Sequence, residues 1–144
     1  MTLAKSGSVG VAGGHYAVLS LSYVLAHDEA VRQLKVAGLD PQLGLYHRLV
    51  SGRQALACDL MEPLRPSIEA WVMGLFTEGL LDKRHFSTSE RNGCLLGKQG
   101  RLQYYSYLEA PQRQWRRRLA GYARILAKAV DESAEVAIDG VGAP

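Results

Sequence analysis

Three charged side chains follow one another at steps of three residues near the middle of the chain. They are Asp59, Glu62 and Arg65, and they lie within the stretch 55–66. In a helix a step of three residues turns about 300°, so the three groups fall within an arc of about 120°. Such a cluster suggests a functional site, whereas on a plain amphipathic helix the same residues form an ion pair of little energetic weight. The spacing alone leaves both interpretations open.

Two prolines lie next to these acids and change the expected hydrogen bonding of the stretch. Pro63 has no N–H to donate to the carbonyl of Asp59, and Pro66 has none for the carbonyl of Glu62. We therefore predict that the helical hydrogen bonds loosen beside both carboxylates. The apolar face of the stretch is predicted to consist of Leu56, Leu60 and Leu64.

A histidine precedes this stretch at the end of a short apolar element. His47 lies twelve residues before Asp59 and fifteen before Glu62. A lone histidine in such a place is usually structural or solvated. A turn at Ser51 and Gly52 separates it from the acids, however, and a chain that turns there can fold back. We therefore expect His47 to lie beside the helix that carries the two carboxylates.

The basic residues are concentrated in one C-terminal segment, although the net charge of the whole chain is only +3. Residues 91–128 contain nine Lys or Arg and a single acid, Glu109, whereas residues 129–144 contain four acids and no base. Clustered arginines among tyrosines can neutralise DNA phosphates without reading the base sequence, but they can also form a solvated helix face. The candidate DNA-binding residues are Arg101, Arg113, Arg116, Arg117, Arg118 and Arg124.

The composition is that of a soluble globular protein of one domain. The 144 residues are 47% hydrophobic and 22% charged, and no window reaches the ~18 apolar residues that span a bilayer. The N-terminal residues 1–14 lack the apolar run of a signal peptide. Cys58 and Cys94 are too few for a disulfide framework, and we expect both to be buried thiols in a reducing compartment. We therefore expect a cytoplasmic protein that does not span a membrane.

Helical periodicity dominates the first half of the chain. Apolar spacing predicts a helix from Gly14 to Ala37, with Gly38 as its natural end. A further helical stretch follows Pro66 and is predicted to end near Gly79. Both helices carry apolar residues at core spacing, so we expect them to pack against the stretch that holds the acids.

The C-terminal part is expected to contain a brief strand followed by two helices. Residues 94–97 are predicted to form this strand or an extended piece, and Pro111 is expected to start or bend the second helix. Residues 1–14 are expected to be a flexible leader and residues 131–144 an acidic, frayed tail, which leaves 15–130 as one helical domain. The predicted fold class is mainly all-α, with at most a minor short strand pair.

Several stretches of the chain together resemble the C-terminal helical domain of a known family. Residues 38–47 have the sequence GLDPQLGLYH, and residues 52–66 have the sequence GRQALACDLMEPLRP. The stretches LSLSY at 19–23 and LLGKQGR at 95–101 are similar to the same family. This family is the CRISPR spacer-acquisition integrase, Cas1, and the resemblance covers about residues 16–130.

The resemblance implies a divalent-metal-dependent DNA endonuclease and integrase that joins short DNA segments into a repeat array in CRISPR adaptive immunity. It implies Mg²⁺ or Mn²⁺ as the cofactor, with His47 and Glu62 as metal ligands. Asp59 is then a further metal-binding and catalytic acid, and Arg65 is a catalytic cation that faces a phosphate. Hard oxygen ligands with one imidazole suit these cations. The implied partners are duplex DNA, a second copy of the chain and the small Cas2 protein.

The chain departs from the family pattern at its N-terminal end. Family members begin with a β-rich domain and a helix that supplies another metal-binding Glu. Here no acid precedes Asp28, and Asp28 and Glu29 are poor substitutes for that ligand. We therefore expect an N-terminally truncated member that lacks the sheet domain and one ligand, and that is weakly active or inactive alone.

Two other interpretations compete with a metal-dependent enzyme. One is a non-catalytic DNA-binding or protein-interaction module that uses the basic C-terminal helices. The other is an unrelated helical domain with a chance match to the family, because short motifs produce false positives. The sequence therefore leaves open whether the chain is an enzyme.

Overall fold

Helices make up most of the described chain, as the periodicity predicts. The computed structural model describes the backbone of residues 2–42 and 54–141, and the side chains of 13–42, 54–136, 139 and 140. The elements in chain order are α1 (Thr2–Val36), α2 (Ala55–Met61), a 3₁₀ turn (Glu62–Leu64), α3 (Arg65–Thr77), a second 3₁₀ turn (Lys83–His85), β1 (Phe86–Ser89), β2 (Gly93–Leu96) and α4 (Lys98–Val141). The two strands pair antiparallel. The predicted fold class, mainly all-α with a minor strand pair, is confirmed. None of the described helices is long and apolar enough to cross a membrane.

The chain divides into two compact units, each built from separate stretches of sequence. The first unit comprises Met1–Ala26 and Pro63–Arg113, and the second comprises His27–Glu62 and Gln114–Pro144. The core of the first unit contains Val18, Leu64, Ile68, Val72, Leu75, Tyr104 and Leu108. The core of the second contains Leu34, Leu56, Leu60, Met61, Trp115 and Leu119. The sequence interpretation treats 15–130 as one domain because no linker divides it, whereas these boundaries fall inside α1, α4 and the first 3₁₀ turn.

α1 begins at Thr2, within the segment that the sequence pattern assigns to a flexible leader. Two of its glycines have a packing role. A Cβ atom on Gly13 would lie 3.1 Å from the Cβ of Cys94, and one on Gly14 would lie 3.0 Å from the ring of Phe86. Glycine therefore lets the β1–β2 hairpin approach α1 closely. The sequence pattern predicts a flexible leader here because the stretch is rich in Gly and Ser and lacks helical periodicity, whereas the structure has a helix.

The predicted ends of α1 and α3 are confirmed. Gly38 follows α1 with φ +81°, and Gly79 follows α3 with φ +73°, the left-handed conformation that glycine adopts after a helix. Beyond α1, the side chain of Asp40 accepts the backbone N–H of Gln42 at 3.0 Å. Such a bond two residues ahead is typical of an aspartate-initiated turn, so Asp40 marks a turn shortly after α1.

The prediction that the prolines disturb the middle helix is confirmed. α2 ends one residue before Glu62, and a 3₁₀ turn separates it from α3. Because Pro63 cannot donate to the carbonyl of Asp59, that carbonyl accepts the backbone N–H of Glu62 instead. The backbone therefore changes its hydrogen-bonding pattern between the two acids.

α4 is one continuous helix, although Pro111 lies inside it. The sequence predicts two helices here and a frayed tail from residue 131, whereas the helix continues to Val141. Proline removes one hydrogen bond from the ladder, but Leu108 and Trp115 on either side of it are buried and hold both turns in place. The basic residues of the segment 91–128 therefore lie mainly on one helix, α4.

Candidate functional site

Asp59 and Glu62 lie on either side of the change from α2 to the 3₁₀ turn. Asp59 is half-buried in the last turn of α2, and Glu62 is exposed as the first residue of the 3₁₀ turn. Leu60 and Met61, which separate them, are both buried. The backbone that carries the two carboxylates is therefore fixed by packing, whereas Glu62 is exposed and Asp59 half-buried. A ligand site needs such a combination of rigid support and accessible polar groups.

Described residues from both sides of the stretch that carries His47 meet at the N-terminus of α2. The described chain stops after Gln42 and resumes at Gln54, so His47 lies outside the described residues. The carbonyl of Pro41 accepts the backbone N–H of Leu56 at 2.8 Å. This bond satisfies a donor at the helix N-terminus that has no partner within the helix. It also joins described residues that precede and follow the undescribed stretch.

The donor set at the end of α2 suits a hard divalent cation. Asp59 and Glu62 supply carboxylate oxygens, which Mg²⁺ and Mn²⁺ prefer as ligands. Among the side chains that the structure describes, no three of His, Cys, Asp or Glu gather closely enough to hold a metal ion. A metal site with three protein ligands at this point would need one from outside the described side chains, and His47 is the predicted one.

Arg65, the residue predicted to face a phosphate, lies against an aromatic ring of α1. It is exposed at the start of α3, and its guanidinium carbon lies 5.2 Å from the centroid of the Tyr23 ring. The Tyr23 hydroxyl donates a hydrogen bond to Oε1 of Glu69 at 2.5 Å. Arg65 and Glu69 are four residues apart in α3 and share one face of that helix. We call these three residues the Tyr23 cluster.

The residue before Tyr23 points into the core of the same unit. Ser22 is buried, donates a hydrogen bond to the carbonyl of Val18 and shares another, of 2.8 Å, with the hydroxyl of Tyr104. The ring of Tyr104 packs against Trp71, with their centroids 5.6 Å apart. Burial raises the pKa of Tyr104 to about 12, against a smaller opposing effect of the Ser22 hydrogen bond. α1 is therefore anchored on its buried side next to the point where Tyr23 emerges.

Three of the six candidate DNA-binding arginines have partners within the protein. Arg101 donates from Nη1 to the carbonyl of Leu96 at 3.2 Å. Arg118 donates from Nη2 to the hydroxyl of Tyr122 at 3.1 Å. Arg116 forms an ion pair with Glu29. The other three candidates, Arg113, Arg117 and Arg124, are exposed.

Glu29 is the one charged side chain that is buried within the described part of the chain, with only 2% of its surface exposed. Its Oε1 accepts from Nε of Arg116 at 3.1 Å and from Nε2 of Gln33 at 2.9 Å, and its Oε2 accepts from Nη1 of Arg32 at 3.1 Å. A buried carboxylate needs such partners to offset its lost hydration. We call these four residues the Glu29 cluster. Arg116, a predicted DNA-binding residue, therefore helps to hold α1 to α4 in this unit.

Sequence reasoning missed the roles of Glu29 and Tyr23. The spacing of Glu29, Arg32 and Gln33 at i, i+3 and i+4 is a recognisable signal for a paired carboxylate on a helix. The contact of Glu29 with Arg116 joins residues that are far apart in sequence, and no local pattern indicates it. The same holds for Tyr23, whose partners lie on α3.

Comparison with known proteins places this arrangement in a family. The family model described as CRISPR associated protein Cas1 matches residues 16–110. CRISPR-associated endonuclease Cas1 1 of Thermodesulfovibrio yellowstonii is 41% identical over 113 residues, which cover 75% of this chain and 36% of that protein. The CRISPR-associated exonuclease Cas4/endonuclease Cas1 fusion of Geobacter sulfurreducens is 35% identical over 99 residues, which cover 68% of this chain and 18% of the fusion.

A solved structure shares the fold. The structure described as a casposase bound to integration product superimposes with a TM-score of 0.66 at 22% identity, covering 76% of this chain and 33% of the casposase chain. This chain spans about a third of the length of the Thermodesulfovibrio relative. The family model covers well over half of the chain, and it includes Asp59, Glu62 and Arg65. The chain therefore belongs to the Cas1 family of CRISPR-associated proteins.

Proposed function

We propose that this chain supplies the metal-binding and DNA-binding part of a divalent-metal-dependent DNA endonuclease or integrase of CRISPR spacer acquisition. Membership of the Cas1 family supports the reaction class, because the relatives from Thermodesulfovibrio and Geobacter are named as endonucleases. The casposase of similar fold is described as bound to an integration product, and we extend DNA as a ligand from that protein to this chain.

In this proposal His47 and Glu62 hold the cation, with Asp59 as a further acid. When bound, Mg²⁺ or Mn²⁺ would activate a water or a 3′-hydroxyl for attack and offset charge on the scissile phosphate. The Asp59 carboxylate accepts the proton of that nucleophile. Arg65 donates its N–H groups to a phosphate oxygen, since a guanidinium matches the geometry of phosphate.

The observation that carries the proposal is the hydrogen bond between the carbonyl of Pro41 and the N–H of Leu56. It joins described residues on either side of the undescribed stretch that contains His47, and α2 carries Asp59 in its last turn and ends next to Glu62. This bond supports His47 as the third ligand, because it brings the chain that precedes the undescribed stretch to the helix that carries Asp59.

The ligand set in these 144 residues is small for a tightly bound cation. No Asp or Glu precedes Asp28, so no further acid ligand comes from the first part of α1. Mg²⁺ keeps most of its water shell unless several protein ligands or substrate phosphates displace it. We therefore propose that the chain by itself binds the cation weakly and has weak or no nuclease activity. Family membership also suggests a homodimer, the Cas2 protein and a cytoplasmic setting as its context.

The first test is cleavage of an end-labelled DNA duplex by an excess of the 144-residue protein in the presence of Mn²⁺. We expect slow cleavage at most, and we expect Glu62→Ala to remove whatever cleavage occurs, because the cation loses a ligand. Glu78→Ala, which removes an exposed acid after α3, is the matched control and should leave the rate unchanged. Fast cleavage that is lost in His47→Ala would contradict the small ligand set, and cleavage that survives Glu62→Ala would contradict the assigned site.

A second candidate function is a DNA-binding module without catalysis. It is favoured by the exposure of Arg113, Arg117 and Arg124 along α4. Such a module binds duplex DNA in a salt-dependent manner through phosphate contacts. It predicts binding that Mn²⁺ and Glu62→Ala leave unchanged, together with no cleavage under any condition.

A further inference from the structure

Arg65 occupies an unfavourable place for a cation. It is the first residue of α3, a helix of 13 residues, and the N-terminus of a helix carries a partial positive charge. A guanidinium there is repelled by the helix unless nearby negative groups compensate. The face of the Tyr23 ring, which carries the negative part of its quadrupole, lies 5.2 Å from the guanidinium carbon. The ring therefore offsets part of that repulsion.

The ring itself is held in place at its far end. The Tyr23 hydroxyl donates to Oε1 of Glu69 at 2.5 Å, and Glu69 lies on the same face of α3 as Arg65. On α1, the adjacent Ser22 is buried and bonded to Tyr104, which fixes the backbone from which the ring projects. Both ends of the aromatic side chain are thus constrained, so the ring presents a fixed surface to the guanidinium.

We infer that Tyr23 is a positioning residue that holds the Arg65 guanidinium ready for a phosphate of the DNA backbone, an inference that rests on the proposed function. A free arginine side chain loses rotamer freedom when it binds phosphate, and stacking on a fixed ring removes part of that cost before DNA arrives. Stacking engages the flat face of the guanidinium, whereas the N–H donors that phosphate requires lie in its plane. The ring can therefore orient Arg65 without competing for its donors.

The experiment measures binding of a fluorescein-labelled DNA duplex to the whole chain by fluorescence anisotropy over a range of salt concentrations. Tyr23→Leu should weaken binding about two- to fivefold, the range of an exposed cation–π contact. Tyr23→Phe keeps the ring and should stay within about twofold of the unmodified protein. Arg65→Gln should weaken binding further and reduce the salt slope by about one phosphate contact.

The double variant Tyr23→Leu with Arg65→Gln should bind as weakly as Arg65→Gln alone, because Tyr23 acts only through Arg65. Tyr16→Leu is the matched control, since Tyr16 is a tyrosine of α1 with 73% of its surface exposed, and it should not change affinity. If Tyr23→Leu does not fold, as judged by circular dichroism, Tyr23→Gln takes its place. A purely structural role would weaken binding equally with and without Arg65.

The outcomes separate this inference from the proposed function. If Arg65→Gln weakens binding and Tyr23→Leu does not, the positioning role is wrong and the phosphate contact of Arg65 stands. If Tyr23→Leu weakens binding equally in the Arg65→Gln background, the positioning role is also wrong. If Arg65→Gln leaves affinity and salt slope unchanged, or if the chain does not bind DNA, both the inference and the proposed role of Arg65 fail.

Discussion

The Glu29 cluster and the Tyr23 cluster both join α1 to another helix through a glutamate and an arginine, but they differ in burial. In the second unit Glu29 is almost fully buried and bonds to Arg116 of α4. In the first unit Glu69 and Arg65 are both exposed and meet α1 through the half-buried ring of Tyr23. Arg116 neutralises the buried charge of Glu29, whereas Arg65 lies at the surface.

The difference shows why a count of basic residues overstates the number of arginines available to a candidate DNA-binding surface. A buried carboxylate without its partners costs far more than an exposed one, so Arg116 is committed to Glu29. An exposed stack on an aromatic ring is weak, and it engages the flat face of the guanidinium and not its N–H groups. Burial of the acidic partner therefore distinguishes an arginine that stabilises the fold from one suited to bind a ligand.

The comparison predicts that replacing Arg116 changes the free energy of unfolding more than replacing Arg65 does. We expect Arg116→Ala to lower the free energy of unfolding by about 1–3 kcal/mol, because Glu29 then remains buried with only part of its hydrogen bonding. Arg65→Ala should cost no more than about 1 kcal/mol, the value of an exposed cation–π contact. Urea denaturation followed by circular dichroism measures both changes.

Arg117→Ala is the matched control for Arg116, since Arg117 is the next residue of α4 and is exposed. Its loss should change stability by no more than about 0.5 kcal/mol, as for most surface positions. Equal losses for Arg116→Ala and Arg117→Ala would show that the Glu29 ion pair contributes nothing. A loss for Arg65→Ala as large as that for Arg116→Ala would remove the distinction between the two clusters.

A smaller effect on stability, absent at neutral pH, concerns Tyr104, which bonds to the buried Ser22 beside Tyr23. The pKa of Tyr104 is raised to about 12 in the folded protein, whereas an unfolded tyrosine titrates near 10. Below about pH 10 both states are protonated and the shift has no effect. As the pH rises from about 10 towards 12 the unfolded state ionises first, so the folded protein loses stability.

Tyr104→Phe should remove this alkaline loss of stability, although it also lowers stability at neutral pH by the loss of the hydrogen bond with Ser22. Tyr105→Phe, at a neighbouring residue with 49% of its surface exposed, should keep the alkaline loss. The test is the urea midpoint of each protein as a function of pH. Parallel curves for Tyr104→Phe and the unmodified chain would mean that Tyr104 does not control the alkaline transition.

Local patterns predicted much of the fold. Gly38 and Gly79 mark helix ends, and Pro63 marks the 3₁₀ turn, because each acts through its own backbone. The packing role of Gly13 and Gly14 could not be predicted, because the residues they contact, Cys94 and Phe86, are distant in sequence. The continuity of α4 through Pro111 also depends on buried contacts and not on the local sequence.

The residues of the candidate site could be predicted from the sequence, but the tertiary contacts around them could not. Asp59, Glu62 and Arg65 stand out by their spacing, and the structure shows how the first two are presented. The contact between Tyr23 and Arg65, and that between Glu29 and Arg116, required the tertiary structure. The place of His47 next to the acids stays a prediction.

The most direct test of the proposed metal site is a titration of the chain with Mn²⁺, in which electron paramagnetic resonance measures the free hydrated ion. We expect weak binding by the unmodified chain in the presence of duplex DNA, loss of that binding in Glu62→Gln and in His47→Ala, and no change in Glu78→Gln. Loss of a ligand removes one of few protein contacts, so binding should fall to the level of DNA alone. Binding of Mn²⁺ by Glu62→Gln that equals that of the unmodified chain would contradict the proposed site.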